Sequence, residues 1–231
     1  MLTNWEQLDD RLKNDEVKKY YDILSHRKGS LLLKRVFDIV VSLLLIVLLS
    51  PALLCIAIWI KLDSEGPVFY RQVRVTKNNK DFRIFKFRTM VQDADKIGSL
   101  VTVGNDSRIT KVGAKIRKIR LDELPQLFNI VTGDMSFVGT RPEVRKYVDR
   151  YTNEMMATLL LPAGVTSLAS IMYKDEDEIM DEKTGSGMSV DDAYIKCVLP
   201  DKMKYNIEAL EKFSFLAEIK LMFKTAVEVI R

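Results

Sequence analysis

Residues 36 to 60, VFDIVVSLLLIVLLSPALLCIAIWI, contain one charge, Asp38, in 25 positions. As a straight helix this run would be roughly 37 Å long, against a bilayer hydrocarbon thickness of about 30 Å. A soluble core seldom holds such a segment, and a bilayer readily does. It is too long for the apolar region of a secretory signal and has no small-residue cleavage site. Lys34 and Arg35 precede it, and Lys61, Arg71, Arg74 and Lys77 follow. Positive charge at both ends favours the cytoplasmic side for both. Pro51, near the middle, removes the N–H that would bond the Val47 carbonyl, and the Ser50 hydroxyl can bond back to a freed carbonyl. The expectation is a re-entrant membrane helix hairpin broken at Ser50-Pro51, with a kinked single span as the alternative.

The rest of the composition narrows the classes. A chain of 231 residues suits one domain with appendages. The formal charge is +4, with basic residues crowded into 61–120. That surplus suits an anionic lipid or a phosphorylated ligand and is too small to argue for nucleic acid. Cys55 and Cys197 are the only cysteines, which excludes a disulfide framework and a cysteine-held metal and fits a reducing, cytoplasmic setting. His26 is the single histidine and lies outside every motif, so catalysis must proceed without a histidine base.

Ahead of the apolar run, Trp5, Leu8, Leu12, Val17 and Tyr21 give an amphipathic helix ending near Lys28-Gly29-Ser30. It reads as an accessory element, packed on the domain or lying on the membrane. Beyond the run, VFYRQVRV and FRIFKFRTM alternate apolar and basic residues around a turn at Asn78-Asn79, which predicts a strand pair. Its basic face would carry Arg71, Arg74, Arg83, Lys86 and Arg88. A short helix, a polar loop near Gly104 to Asp106 and a helix ITKVGAKIRKIR are expected over 91–120. The acidic stretch 174–192 reads as solvated loop or helix start. Tyr205, Leu210, Phe213, Leu216, Ile219 and Phe223 recur near helical period, which fits core packing for at least half of that segment or an interfacial helix.

RLDELPQLFNIVTGDMSFVGTRPE, residues 120–143, sets Asp122 and Glu123 just before Pro125. Asp122 suits a helix N-cap, Glu123 suits a first turn and Pro125 is tolerated there. The same geometry can serve chemistry. Backbone donors and carboxylates beside Arg117, Arg120 and Arg141 could hold phosphate. Mg²⁺ could join, since it is usually bound by one or two carboxylates and substrate phosphates. A carboxylate placed there can attack phosphorus, splitting one transfer into two displacements, while cations stabilise the moving charge.

Four ordered blocks, KRVFDIVVSLLLIVLLSPALLCIAIWIKLDSEGPVFYRQVRV, FRIFKFRTM, RKIRLDELPQLFNIVTGDMSFVGTRPE and PAGVTSLAS, resemble the bacterial sugar transferases, the monotopic polyprenol-phosphate phosphoglycosyl transferases. The resemblance covers residue 34 to about 170. It implies transfer of sugar-1-phosphate from a UDP-sugar to undecaprenyl phosphate, releasing UMP, at the cytoplasmic face of a bacterial inner membrane. By resemblance Asp122 is nucleophile and magnesium ligand, and Glu123 orients it or helps with protons. Arg141 holds phosphate and Arg117 lies near the site. Lys86 and Arg88, in the matching KFRTM block, join them as phosphate-binding candidates. Ser50-Pro51 matches the family's re-entrant break.

Three departures stand out. Ala163 precedes Gly164 in Pro162-Ala163-Gly164, where an arginine is usual around that glycine; MYK replaces an Asn-Gly-Arg element and leaves Lys174 as the cation; and Thr140 replaces a common proline. The implied fold is α+β, a compact mixed helical domain with short strands, anchored by the hairpin and by amphipathic interfacial helices. The division is an accessory helix over 1–30, the re-entrant helix over 31–62 and a cytoplasmic transferase domain over 63–231. The partners implied are the UDP-sugar, the polyprenol phosphate and the membrane, without nucleic acid, and a homo-oligomer is left open. The competing reading is a membrane-docked scaffold of the same fold that has lost its chemistry.

Overall fold

In the computed structural model, residues 2–94, 106–173 and 176–230 are described. The polar loop expected near Gly104, most of the short helix before it, and Lys174 lie outside them. Two 3₁₀ turns, Trp5–Gln7 and Asp10–Leu12, lead into helix α1, Asp15–Ser25. Asn14 caps α1 by accepting from Val17 N–H at 3.0 Å. A 36-residue helix follows, α2, Lys28–Asp63. Gly29 and Ser30 sit in its first turn and do not end a helix, because the long packed helix outweighs the roughly 1 kcal/mol that one glycine costs.

Helix α2 buries a narrow stripe. Leu31, Lys34, Asp38, Ser42, Ile56 and Ile60 are buried, and Leu45, Ile46, Leu49, Leu53 and Ala57 fill the same line at 3–4-residue spacing. The stripe continues through Pro51, where Ser50 Oγ donates to the Val47 carbonyl at 2.8 Å. The opposite face is bare: Val40, Leu44, Val47, Leu48 and Leu54 are all more than half exposed. The most apolar window of α2 has a mean hydropathy of 3.0 with 11% of it buried, the signature of a membrane-associated helix and not of a core helix. The single charge is turned inward. Asp38 Oδ1 accepts from Phe137 N–H at 3.2 Å.

The basic residues ahead of the apolar run also point into the protein. Lys34 Nζ bonds the Val138 carbonyl and Glu218, each at 2.7 Å. Arg35 donates to the carbonyls of Ile130 and Val131 at 2.7 and 2.8 Å.

Strands β1, Phe69–Thr76, and β2, Lys80–Phe87, form the expected antiparallel hairpin, turning through Asn78 and Asn79 in left-handed conformation. Helix α3, Lys111–Lys118, starts at an N-cap Thr110. Helix α4, Gln126–Thr132, ends at Gly133 with φ 90°, and its last carbonyls are those Arg35 holds. Asn129 of α4 covers the edge of β2, taking Phe85 N–H at 2.7 Å and donating to the Arg83 carbonyl at 3.1 Å.

Strands β3, Met135–Val138, and β4, Ala163–Thr166, pair in parallel. Gly139, just past the end of β3, and Gly164, inside β4, touch backbone to backbone, and a Cβ on Gly164 would fall 2.2 Å from Gly139 N. Between the strands lie the single-turn helix α5, Arg145–Val148, and a 3₁₀ stretch, Met155–Leu160. After β4 come α6, Leu168–Met172, and α7, Glu176–Gly185, the latter within the acidic stretch. Helix α8, Val190–Ala193, passes through a π turn, Tyr194–Val198, into α9, Leu199–Glu211.

The last element, α10, spans Phe215–Ile230. The periodic pattern across residues 205–223 is thus two helices broken at Ser214, whose Oγ takes Ala217 N–H at 3.1 Å. Helix α9 packs into the core, while Leu216, Phe223 and Val227 of α10 stay exposed.

The largest cluster joins both ends of the chain. Leu8, Leu12, Val17, Tyr20 and Leu24 pack with Tyr147, Met156, Leu160, Val198, Leu199 and Met203. The result is a mixed helical fold with four short strands among the described residues, carrying one long apolar helix on its outside.

Candidate active site

Arg120 adopts a left-handed conformation, φ 54°, and turns the chain sharply after α3. The next residues form a 3₁₀ turn, Leu121–Glu123, with Glu123 N–H bonded to the Arg120 carbonyl and Leu124 N–H to that of Leu121. Helix α4 begins only after Pro125. Asp122 is therefore not its N-cap, and Pro125 takes the cap position without a side-chain bond. The left-handed residue accounts for the difference, since it restarts the backbone one turn early.

A cleft of about 750 Å³ opens between the hairpin, α3 and this turn. Asp122, Glu123, Arg141, Arg117, Lys86 and Arg88 all line it. Glu123 is the electrostatic hub. Its Oε1 accepts from Lys86 Nζ at 2.9 Å and from Arg141 Nη2 at 2.5 Å. Burial alone would push its carboxyl up, but Arg141 and Lys86 together hold it well below the usual carboxylate range. Glu123 in turn raises Arg141, and burial pulls Lys86 down although Glu123 opposes it.

Asp122 behaves in the opposite way. Burial and then the neighbouring Glu123 raise its pKa, and Lys86, its own backbone N–H and Arg117 only partly offset them. Two adjacent carboxylates are thus driven apart, one fully neutralised by cations and the other left basic in a cleft lined by cations, the pattern expected of functional pairs.

Other cationic residues sort by strand face. In the hairpin register Lys86 pairs with Tyr70 and Arg71 pairs with Phe85. Lys86 and Arg74 therefore share one face, Arg71 and Arg83 the other, and a single basic face does not exist. Arg74, which no motif marks as a site residue, also lines the cleft. Its guanidinium bonds Gln72 Oε1 at 2.7 and 3.0 Å and the Pro142 carbonyl at 3.2 Å, and burial lowers its pKa. Register counting from Lys86 would have found it. Arg88 has another employment: its guanidinium holds the Ser64 carbonyl at 2.7 Å and the Glu65 carbonyl, which locks the turn after α2. Arg108 also lines the cleft, paired with Asp106, which it holds at about 2.

Arg141 leaves β3 through the Gly139–Gly164 contact, so the glycine pair sets where its guanidinium meets Glu123. Behind it, buried Glu143 accepts from Tyr194 Oη. For a metal, the described residues hold no cluster of three or more His, Cys, Asp or Glu side chains placed to bind one. With Glu123 committed to two cations, Asp122 is the lining carboxylate of the pair left to take a metal. One carboxylate supplemented by substrate phosphates is a donor set that fits Mg²⁺.

A long apolar helix on the surface and a carboxylate pair with divergent pKa values in a cation-lined cleft mark a membrane-associated protein with a cationic site. The family model for bacterial sugar transferases matches residues 29–231, and the chain belongs to that family. Over 95% of its length it is 36% identical to the UDP-N-acetylgalactosamine-undecaprenyl-phosphate N-acetylgalactosaminephosphotransferase of Aeromonas hydrophila, covering 49% of that protein. Over 84% of its length it is 35% identical to the UDP-glucose:undecaprenyl-phosphate glucose-1-phosphate transferase of Escherichia coli K12, covering 39% of it. Over 48% of its length it is 51% identical to the exopolysaccharide production protein PSS of Rhizobium leguminosarum bv. phaseoli, covering 56% of that protein. The chain thus spans about half the length of these relatives, or less.

Proposed function

We propose that this chain is a phosphoglycosyl transferase that moves sugar-1-phosphate from a UDP-sugar to a polyprenol phosphate such as undecaprenyl phosphate, at the cytoplasmic face of a bacterial inner membrane, starting a surface glycan or exopolysaccharide. The observation that carries the reading is the Asp122–Glu123 pair, with a basic carboxylate facing a cleft lined by Arg117, Lys86, Arg74 and Arg141. The activities for which the relatives are named support the substrate classes.

In this reading an Asp122 oxygen attacks the phosphorus that bears the sugar. The bond to the bridging oxygen breaks, UMP departs with that oxygen, and an aspartyl phosphosugar remains. A phosphate oxygen of the lipid then attacks the same phosphorus. The Asp122–phosphorus bond breaks, the carboxylate is restored and the polyprenyl diphosphosugar forms. Neither step needs a histidine or a net proton transfer. Asp122, with the donor phosphates, would hold Mg²⁺, which supplies charge neutralisation when bound. Lys86 and Arg141, held on Glu123, face the transferring phosphoryl oxygens. Glu123 acts by placing those cations, because a carboxyl held so far down has no proton to give near neutral pH.

The test is UMP release from a panel of UDP-sugars with undecaprenyl phosphate and Mg²⁺. Asp122→Asn is expected to lower turnover by a factor on the order of 10⁴ or more and to abolish a covalent phosphosugar adduct on the intact protein by mass spectrometry. Full activity in that variant removes Asp122 as nucleophile, and no turnover of any UDP-sugar by the unaltered chain favours a docked scaffold.

A further inference from the structure

The face of the hairpin turned away from Lys86 and Arg74 carries Phe69, Arg71, Val73, Arg83, Phe85 and Phe87. It is an aromatic cluster with a cation laid on it. Phe69 stacks on Phe87 at 5.5 Å and meets Phe85 edge-on at 5.9 Å, and Phe85 leans on Phe128 of α4 at 5.7 Å. The Arg71 guanidinium carbon lies 3.4 Å from the Phe85 ring centroid, and Nη2 donates to the Arg83 carbonyl at 3.2 Å. Phe69 and Val73 are 37% and 42% exposed.

Phe87 ties this cluster to the apolar helix, packing against Ile56 and Ile60 of α2. On the outside of that same stretch Leu54, Ile58 and Trp59 are exposed. Buried Phe87 thus bridges the second half of α2, whose outer face is apolar, to the exposed Phe69 at the rim of the cleft. Phe69 and Arg71 line that cleft together with Asp122.

We propose that the Phe69–Arg71–Phe85 face is the entry site for the phosphorylated isoprenoid acceptor, with the first isoprene units on the aromatic rings and the phosphate drawn in by Arg71. This rests on the transferase reading above and adds where the acceptor binds. Charge and shape both fit. A guanidinium laid over a ring keeps the donors not used on the Arg83 carbonyl for phosphate oxygens, and its pinned geometry reduces the entropy lost on binding. The donor would occupy the opposite side, among Arg74, Lys86 and Arg141, so the two substrates approach one nucleophile from two faces of a single hairpin. A bilayer headgroup would not require the cation to share a cavity with Asp122.

The experiment measures UMP release against acceptor and donor concentration in neutral-detergent micelles, using undecaprenyl phosphate. Phe69→Ala and Arg71→Gln are each expected to raise the acceptor KM about tenfold with the UDP-sugar KM unmoved, which also reports an intact fold. Arg83→Gln, on the same face but away from the cleft, is expected to leave the acceptor KM unchanged. The proposal is overturned if the acceptor KM does not move, if Arg83→Gln raises it equally, or if the effect appears only in anionic phosphatidylglycerol vesicles, which would identify a headgroup patch. Failure of the unaltered chain to release UMP overturns the transferase reading and this one with it, and needs no variant to detect.

Discussion

Substituting Asp122 by Asn removes a buried negative charge that sits beside another one. Because its folded pKa is raised, the folded state binds this proton more tightly than the unfolded chain does. Stability from this group is therefore greatest below the unfolded value and is lost as pH rises through the folded value. At neutral pH the ionised side chain costs stability, so Asp122→Asn is expected to raise the Tm while ending turnover, a trade typical of reactive sites. Differential scanning calorimetry in detergent checks it, and a lowered Tm would contradict it. The acid limb of kcat/KM should also lie above the 3.8 of an ordinary aspartate. Glu123 carries the opposite sign. Its depressed pKa contributes stability that is present above the unfolded value and fades as pH falls toward the folded one. Glu123→Gln leaves Lys86 and Arg141 unpaired and should cost about 3 kcal/mol in urea unfolding. Activity should fall through mispositioned cations, and a stability loss without an activity loss would remove the positioning role.

Among the elements, the parallel pair β3–β4 imposes a tight steric demand. A methyl on Gly164 would overlap the Gly139 backbone, with 2.2 Å to its nitrogen and 2.3 Å to its oxygen. Gly164→Ala is expected to cost about 2 kcal/mol or more by overpacking and to weaken activity by shifting Arg141. Gly185→Ala, where a Cβ meets nothing within 4 Å, should leave the melting curve unchanged or raise it slightly. Equal melting curves for the two variants would mean that the strands separate freely. The glycine contact cannot be read from Pro162-Ala163-Gly164, because it depends on which backbone lies opposite. The hairpin could be read, since alternation is local and Asn78-Asn79 accept left-handed conformations. The separation of Arg71 from Arg74 follows from strand register, once the residues are assigned to faces. The start of α4 could not be read: nothing in Arg120 announces a left-handed residue, so Asp122 resembled a cap. Asp122, Glu123, Arg141 and Lys86 were recognisable as a set because their motifs are dense; Arg74 was missed because its partners are Gln72 and a carbonyl, which carry no motif.

Taken as a whole, the molecule places a strong condition on how α2 meets a membrane. Leu8, Leu12, Val17, Tyr20 and Leu24 precede it, are between 0% and 4% exposed, and share a core with Met156, Leu160, Val198 and Leu199, which follow it. Burial of each such side chain is worth about 1.5–3 kcal/mol, so the five contribute on the order of 10 kcal/mol, comparable with the net stability of a domain. Lys19 reaches Glu211 across the same junction at 2.7 Å. If α2 crossed the bilayer from end to end, the two sides of this core would be parted by a hydrocarbon layer. A helix lying in one leaflet keeps them together, with its bare face of Val40, Leu44, Val47 and Leu48 toward lipid and Lys34, Arg35 and Asp38 toward protein. The flanking cations were read in sequence as a topology signal. Lys34 and Arg35 are instead internal clamps, so the shared core, and not their charge, holds the two ends of α2 to one body. Single cysteines at Asp10 and Lys212, in a chain with Cys55 and Cys197 replaced by serine, should both react with an impermeant maleimide from the cytoplasmic side of inverted vesicles. Tryptophan at Leu48 should be quenched by lipids brominated near the bilayer centre more weakly than a full-span helix requires. Reaction of the two cysteines from opposite sides would defeat the one-leaflet arrangement, however well the catalytic cleft performs.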